Sequence, residues 1–502
     1  MNTKLLKQKI LDLAIRGKLT QQLKSDGTAK DLLTQISDER RKTRDERKGT
    51  RSKKSGVILS EAQSAKSKDL GQIIPLDKSE APFEIPANWE WVRLGDVAYI
   101  ASGSTPSKDC FVESGVPYLK MYNLRNQQID FEYKPQYIKR EVHEGKLARS
   151  KAKPGDVIMN IVGPPLGKVA LVPESLPECN FNQAAVLIRA HFCTNLMNQY
   201  IRYFLLQMDE INAINTKGTA GQENISLTQT QNMRFPLPPL AEQQHIVEKI
   251  QEAFAEIDSI ENNKELLKTH IKQARQKILD LAIHGKLVPQ NKSDEPASVL
   301  LERITRDNPH YEKLTDIPFE IPGSWEWVKL GDVCKPIKRG KSPKYIEQSN
   351  VLVFAQKCNQ KDGPVSLEKA LYLDESTLNK YPKEEFLQKG DVVINSTGTG
   401  TLGRVGYFNV DLPHNIKGIV PDSHVTTIRS VYVNPYYLYC FLKNKQTYLE
   451  ENGEGSTNQK ELKPHTIYDL EFPLPPLAEQ KRIVDRIEEI FKSLDEISLH
   501  LV

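Results

Sequence analysis

The sequence predicts an α+β chain: two similar globular α/β domains separated by two long antiparallel coiled-coil helical units, in a pseudo-twofold, circularly permuted repeat. Three observations lead there. FEIPANWEWVRLGDVA from residue 83 is answered by FEIPGSWEWVKLGDVC from residue 319, and FPLPPLAEQ from residue 235 returns unchanged from residue 472. KPGDVIMN (153–160) and LGKV (166–169) are answered by QKGDVVIN (388–395) and LGRV (402–405), so the offset stays between 235 and 237. QKILDLAIRGKL from residue 8 matches QKILDLAIHGKL from residue 276 at a different offset, 268. Self-similarity on this scale means that one domain is used twice. Aligned on the central copy, the C-terminal copy ends with Val502 opposite Glu265 and the N-terminal copy begins with Met1 opposite Thr269. The chain ends therefore supply complementary parts of one helical unit, and Met1 is expected beside Val502.

Each segment follows from its local pattern. Residues 1–20 read as an N-terminal helix completing the distal spacer, and 21–82 as a charged linker or insertion. Within the latter, DERRKTRDERKGTRSKKS opens a charge-rich stretch over 38–70 with no counterpart before the second domain; linker or mobile helix is favoured over a DNA-binding tail. The domains, 83–234 and 319–471, carry short β-rich runs (WEWVRL, DVIMNIV, AAVLIRA; WEWVKL, DVVIN, HVTTIRS) and then NQYIRYFLLQ or NPYYLYCFLKN as a helix. A mostly antiparallel, curved sheet is expected.

Residues 235–290 form the central spacer helix, 291–318 a linker and 472–502 the distal spacer helix. The prolines of FPLPP favour extended backbone, and Pro239 suits a first helical turn. Val247, Ile250, Phe254, Ile257, Ile260, Leu267, Ile271, Ala274, Ile278 and Leu281 then follow three-and-four spacing, the seam of a coiled coil, with Gly285 as C-cap. Forty-odd residues make a rod of roughly 70 Å. One apolar stripe requires a partner helix, and the distal unit supplies it.

Composition narrows the function classes. A chain of 502 residues implies several domains. There is no run of eighteen apolar residues and the amphipathic start is no export signal, so a cytoplasmic protein without a membrane segment is expected. The net charge of +4 permits an anionic partner without demanding one. Cys110, Cys179, Cys193, Cys334, Cys358 and Cys440 have no metal-ligand spacing and read as free, mostly buried thiols.

Catalytic motifs fail on context. Gly398, Gly400 and Gly403 satisfy GxGxxG, but RVGYFNV after them reads as a strand instead of the helix that caps a phosphate, so a hairpin loop is expected. GPPLGK (163–168) is one residue short of a P-loop, and Lys168 is followed by Val169. NPYY (434–437) is matched by NQYI in the first half, which suits the start of a helix better than a methyltransferase motif. Trp89, Trp91, Trp325 and Trp327 alternate on strands and belong to the core.

Two like domains on a stiff spacer suit a two-part linear target, and duplex DNA is the commonest such partner. Linked readers make the second engagement intramolecular. The copies differ in loops: GSTPSKD against RGKSPKY, YLKMYNLRN against VFAQKCNQK, TKGTAGQEN against ENGEGSTNQ. Their phosphate- and base-contacting candidates are Lys108, Lys120, Tyr122, Asn123, Arg125, Lys168, Lys217 and Gln222 in the first domain. In the second they are Arg339, Lys341, Lys344, Lys357, Arg404, Asn458 and Lys460.

The twin WEWVxLGDV starts, the repeated PLPPLAEQxxIVxxI, the ILDLAIxGKL ends and the permuted layout resemble the specificity (S) subunit of Type I restriction-modification systems, over nearly the whole chain. The resemblance implies two target recognition domains, each reading half of a bipartite site on double-stranded DNA, in a non-catalytic chain without metal or cofactor. It implies modification subunits that bind S-adenosylmethionine and methylate adenine, and a restriction subunit that uses ATP and Mg. Leu240, Ile246, Val247, Ile250, Phe254, Leu477, Ile483, Val484, Ile487 and Phe491 are then the candidates for the subunit interface. The charged insertion has no role in that pattern. A self-contained methyltransferase or nuclease would instead need a cofactor or metal site, and a protein-binding coiled-coil scaffold would show no sequence-selective retention of DNA.

Overall fold

The computed structural model describes residues 2–52, 72–163, 165–214, 223–306, 311–312, 314, 317–361, 364–398, 400–455 and 460–501. The chain divides into two compact units, Met1–Asn262 and Asn263–Val502. Each has one linear order: a helix ending in ILDLAI, a second helix with one apolar face, the globular domain, and the helix that follows PLPP. The helix Leu240–Ile283 is continuous and contributes its first part to the first unit and the rest to the second. The boundary between the two units thus falls inside a helix. Met1 and Val502, expected side by side, lie outside the described residues.

The first unit begins with the helix Thr3–Ile15, which buries Leu11, Ala14 and Ile15. It ends in a Schellman closure: the N–H of Gly17 donates to Ala14 O and that of Lys18 to Leu13 O, with Gly17 at φ 65°. Gly285 does the same after Ile283, where the N–H groups of Gly285 and Lys286 reach Ala282 O and Leu281 O.

The segment 21–82 is more than a linker. Thr28 and Asp31 open a helix, Ala29–Ser52, with reciprocal side-chain to backbone bonds of 3.3 and 3.2 Å. Leu32, Leu33 and Ile36 enter the core, so the segment is anchored by its own apolar face. Its counterpart, Ala297–Thr305, buries Leu300, Leu301 and Ile304 and stops after nine residues. The charged sequence therefore continues a core helix outward, with Asp38–Arg41 and Glu39–Lys42 pairs along it. Residues 53–71 lie outside the described residues.

Both globular domains have one topology. In the first, an antiparallel sheet runs in the order Ala98–Ser102, Ala185–Ala190, Val157–Asn160, Val169–Leu171. A second sheet runs Asn180–Phe181, Val116–Leu119, Tyr137–Ile138, Phe111–Val112, its first pair parallel. The second domain repeats this as Cys334–Arg339, Val425–Ser430, Asp391–Asn395, Val405–Phe408 and as Gly418–Pro421, Val351–Phe354, Leu371–Leu373, Tyr345–Ile346. The helices Thr194–Gln207 and Pro435–Asn444 cover the first sheet of their own unit, with Tyr200, Ile201, Tyr437 and Leu438 fully buried. The Asp of each repeated GDV is buried and held by a strand arginine: Arg189 Nε lies 2.7 Å from Asp156 and Arg429 Nε 2.7 Å from Asp391.

Asn434 of NPYY caps the second of those helices by accepting from the N–H of Tyr436 and Tyr437. The GxGxxG stretch joins the antiparallel strands Asp391–Asn395 and Val405–Phe408 as a hairpin loop. The four tryptophans are buried, and of six free thiols only Cys193 is exposed.

Three of the repeated phrases meet at one buried junction in each unit. FPL forms a strand against EWV, with Trp91 opposite Pro236 and Trp327 opposite Pro473. The helix then starts at Leu240 or Leu477, directly after the last proline, so Pro476 takes the cap rather than the first turn. On that first turn Glu242 accepts from Trp89 Nε1 at 2.8 Å and from Gln22, and Glu479 accepts from Trp325 Nε1 at 3.0 Å and from Gln290. Both carboxylates are buried at a helix N-terminus, where the backbone dipole favours negative charge. A Cβ on Gly17 would strike Pro86 and the Trp89 ring, and one on Gly285 would strike Pro322 and the Trp325 ring.

Beyond the junction, two helices run antiparallel inside each unit. Lys7 pairs with Asp258 and lies over Phe254, and Thr3 bonds to Glu261. In the second unit Arg275 pairs with Asp495 at 2.6 Å and lies over Phe491. The expected seam fails at Ile260 and Leu267, which are exposed together with Leu266. In the first unit the partner helix starts at Thr3, whose hydroxyl bonds to Glu261.

Burial pushes the carboxyls of Glu242 and Glu479 above the ordinary glutamate range, against the lowering effect of their Trp and Gln donors. A carboxyl raised in the folded state binds its proton more tightly there than unfolded. Its stabilising contribution is present below the ordinary glutamate range and is lost as the pH rises through the raised value. Glutamine at both positions is expected to flatten the pH dependence of stability, in denaturant titrations from pH 4 to pH 8, relative to the unaltered chain.

Candidate nucleic-acid interface

In each domain two of the variable loops follow corresponding strands, one in each sheet. In the first, the turn Met121–Asn123 follows the strand Val116–Leu119. Lys120 lies half-buried with its ammonium 5.6 Å from the Phe111 ring centre, and Arg125 is exposed over Tyr133 at 4.2 Å. Tyr122 donates to Lys134 O at 3.2 Å and meets Tyr133 edge to face. Tyr133 and Lys134 thus complete a cationic-aromatic patch that the loop comparison missed, because they come from the strand-poor stretch after Ile129. Lys108 is exposed on a turn, Lys108–Cys110, and Lys168 is half-buried in the hairpin, its N–H bonded to Asn160 Oδ1 at 2.6 Å.

Asn123 does not belong to this surface. It is buried, its Oδ1 accepts from the N–H of Lys120 at 2.9 Å, and its Nδ2 donates to Asp130 O and Tyr133 O. All of its capacity goes into shaping the loop. Lys217, Gln222 and Asn458 lie outside the described residues.

In the second domain the candidates are largely paired. Arg339 bonds to Ser423 O and Glu461, Lys341 lies 2.7 Å from Glu385, and Lys344 lies 2.7 Å from Asp374. The Lys344 ammonium, with Ser376, holds the Asp374 carboxyl down to about 2. Arg404 donates to Asn359 O at 2.9 Å and Gly400 O at 3.1 Å, which braces the hairpin. Lys357 and Lys460 are exposed and form no ion pair among the described residues. Sequence reading also missed Gln356, Thr397, Thr401 and His424, which are joined by hydrogen bonds at this same end. They come from three separate segments, and no spacing rule links them.

The apolar candidates for a subunit interface need correction. Ile246, Val247, Ile250, Ile483, Val484 and Ile487 are buried in the core of their own unit and present no surface to another chain. Leu240, Phe254 and Phe491 are partly buried against the same cores. Leu477 alone of this set is exposed, at 47%. The helix after PLPP turns its stripe inward because each domain needs that face to close its core. No helix among the described residues is long and apolar enough to cross a membrane.

Comparison with known proteins is consistent with this geometry. A family model described as Type I restriction modification DNA specificity domain matches twice, over residues 86–269 and 322–500. The chain is 23% identical to the Type I restriction enzyme EcoEI specificity subunit of Escherichia coli, covering 99% of this chain and 90% of the relative. It is 22% identical to the EcoAI specificity subunit of the same organism, over 98% and 90%. Among solved structures, the HsdS subunit from Thermoanaerobacter tengcongensis aligns with a TM-score of 0.51 at 20% identity, over 84% of this chain and 94% of that one. A chain from work on complex assembly and conformational transition of the type I R-M system aligns at 0.55 and 21%, with the same coverage. The twofold match covers well over half of the sequence, and the chain belongs to the family of Type I restriction-modification DNA specificity subunits.

Proposed function

We propose that this chain reads a bipartite site on double-stranded DNA, one half-site per globular domain, with the helix Leu240–Ile283 and its partners setting the unread gap. The observation that carries this reading is the pairing of one topology, used twice, with loops that differ at the same sheet ends. A shared scaffold with divergent loops suits two related readers with two specificities. The domain limits 83–234 and 319–471 follow from it. The chain itself supplies no chemistry in this reading. It acts in the cytoplasm by docking modification subunits, which bring S-adenosylmethionine, and a restriction subunit, which brings ATP and Mg. Docking falls to exposed helix faces, such as those carrying Leu477 and Leu266, since the inward stripe is occupied.

Lys108, Lys120, Arg125, Lys168, Lys357 and Lys460 are assigned to phosphates, which position the reader and carry the salt dependence. Alanine at Lys357 is expected to weaken binding about evenly across sequences and to lower the salt slope by about one, measured by titrating duplexes at several salt concentrations.

Exchange of residues 83–234 for the equivalent domain of a relative is expected to alter one half of the recognised sequence. Sequencing of methylated adenines checks this, and an exchange that alters both halves or neither contradicts the reading. Lengthening the helix within 245–280 is expected to change the gap while both half-sites persist, read by the same method; an unaltered gap contradicts the spacer role.

A further inference from the structure

Three loops converge at one sheet end of each unit, and their backbone bonds make them equivalent position by position. In the second unit the N–H of Asp422 donates to Phe354 O and that of Ser396 to His424 O; in the first, Asn182 donates to Leu119 O and Ile161 to Ala184 O. Gln356 and Met121 each open the turn after the matching strand. Thr397 and Val162 each form the matching bridge, to Glu461 and to Asn224. His424 thus corresponds to Ala184, Thr397 to Val162, and Gln356 to Met121.

The second unit fills these positions with a hydrogen-bonded relay, whereas the first has three side chains of small or apolar character. Gln356 Nε2 donates to Thr397 Oγ1 at 2.8 Å, and Gln356 Oε1 accepts from Thr401 Oγ1 at 3.1 Å. A hydroxyl has one proton. Thr397 Oγ1 accepts from Gln356 and lies 2.7 Å from His424 Nδ1, so its one proton is placed to bond that nitrogen's lone pair. In that arrangement Nδ1 accepts and the ring hydrogen on Nε2 faces outward. His424 is exposed, and Nε2 has no partner among the described residues. Gly398, at φ 100°, lets the hairpin close over the relay, since a Cβ there would strike Thr401 Oγ1 and Gln356 Oε1. Arg339 is bonded to Ser423 O, the residue before His424, and Arg404 to Gly400 O in the same hairpin.

We infer that His424 is a specificity-determining residue of the second domain: its Nε2–H, fixed outward by Thr397 and Gln356, donates to a base-edge acceptor in the major groove, a purine N7 or O6 or a thymine O4. This rests on the proposal that each domain reads one half-site. Thr397 and Gln356 are positioning residues, because they act through the ring. At the equivalent positions the first unit's side chains, those of Met121, Val162 and Ala184, offer no hydrogen-bond donor, so the two domains read this position by different chemistry.

The test uses the complex assembled with its modification subunits, read by the set of methylated sequences and by binding to duplexes with single base-pair changes. H424A, which alters an exposed side chain, is expected to lower discrimination at one base pair of the second-domain half-site roughly tenfold or more, with the other half-site and the gap unchanged. T397V should follow H424A, whereas a residue with a merely structural role would not relax one base pair. The graft Q356M/T397V/H424A installs residues that the first unit already holds on the same backbone, so folding is expected to persist. Unchanged discrimination in H424A or the graft would overturn the inference while leaving the domain-exchange result intact. Even weakening of all duplexes with a shallower salt slope would also overturn it, by assigning Nε2 to a phosphate oxygen. A domain exchange that altered neither half-site would instead bring down the underlying reading.

Discussion

A carboxylate buried against an indole N–H is the constraint on which the rest of this structure depends. Glu242 and Glu479 sit on the first turns of the long helices, and Trp89 and Trp325 sit at the first strands of the globular domains. A charge in such a place is tolerated only when its acceptor capacity is used, and an unmet buried partner costs about 1 to 3 kcal/mol or more. The indole, the amide of Gln22 or Gln290 and the helix N-terminus meet that requirement together. Removing any one leaves the others exposed to its loss, so the domain, the preceding helix and the following helix are fixed as one body within each unit.

This junction explains why the repeated phrases are the ones that are repeated. FPL must be extended to pair with EWV, PP must stop the strand, and Glu must fall on the next turn to reach the indole. Gly17 and Gly285 end their helices in left-handed backbone just where a side chain would collide with the proline and indole of the junction. Between these points the strands keep their buried residues, and the loops at the sheet ends vary. One scaffold therefore carries two different loop sets, the first with Arg125 over Tyr133 and the second with the Gln356–Thr397–His424 relay.

Much of this was legible in the sequence because repetition reports on geometry that must be kept. The strands WEWV and GDV, the helix after PLPP, the buried tryptophans and the hairpin disguised as GxGxxG all follow from local rules on periodicity, proline and glycine. Burial partners were not legible. Ile246, Val247 and Ile250 look like a free seam in one dimension, yet their own domain consumes them. The 21–82 segment looked uniformly polar because the anchor, Leu32, Leu33 and Ile36, is a single helical face. Asn123 has the composition of a base reader, but three backbone groups claim its amide. The His424 relay joins residues from three segments, and only folding brings them together.

A double-mutant cycle on Trp89 and Glu242 tests the junction most directly. Trp89→Phe, Glu242→Gln and the double variant are compared in chemical denaturation of the full chain. The account requires the two changes to couple, with an interaction energy on the order of 1 kcal/mol, because each residue completes the other's buried polar group. Additive effects, within about 0.5 kcal/mol, would show that the indole and the carboxylate stabilise the chain independently and would contradict it.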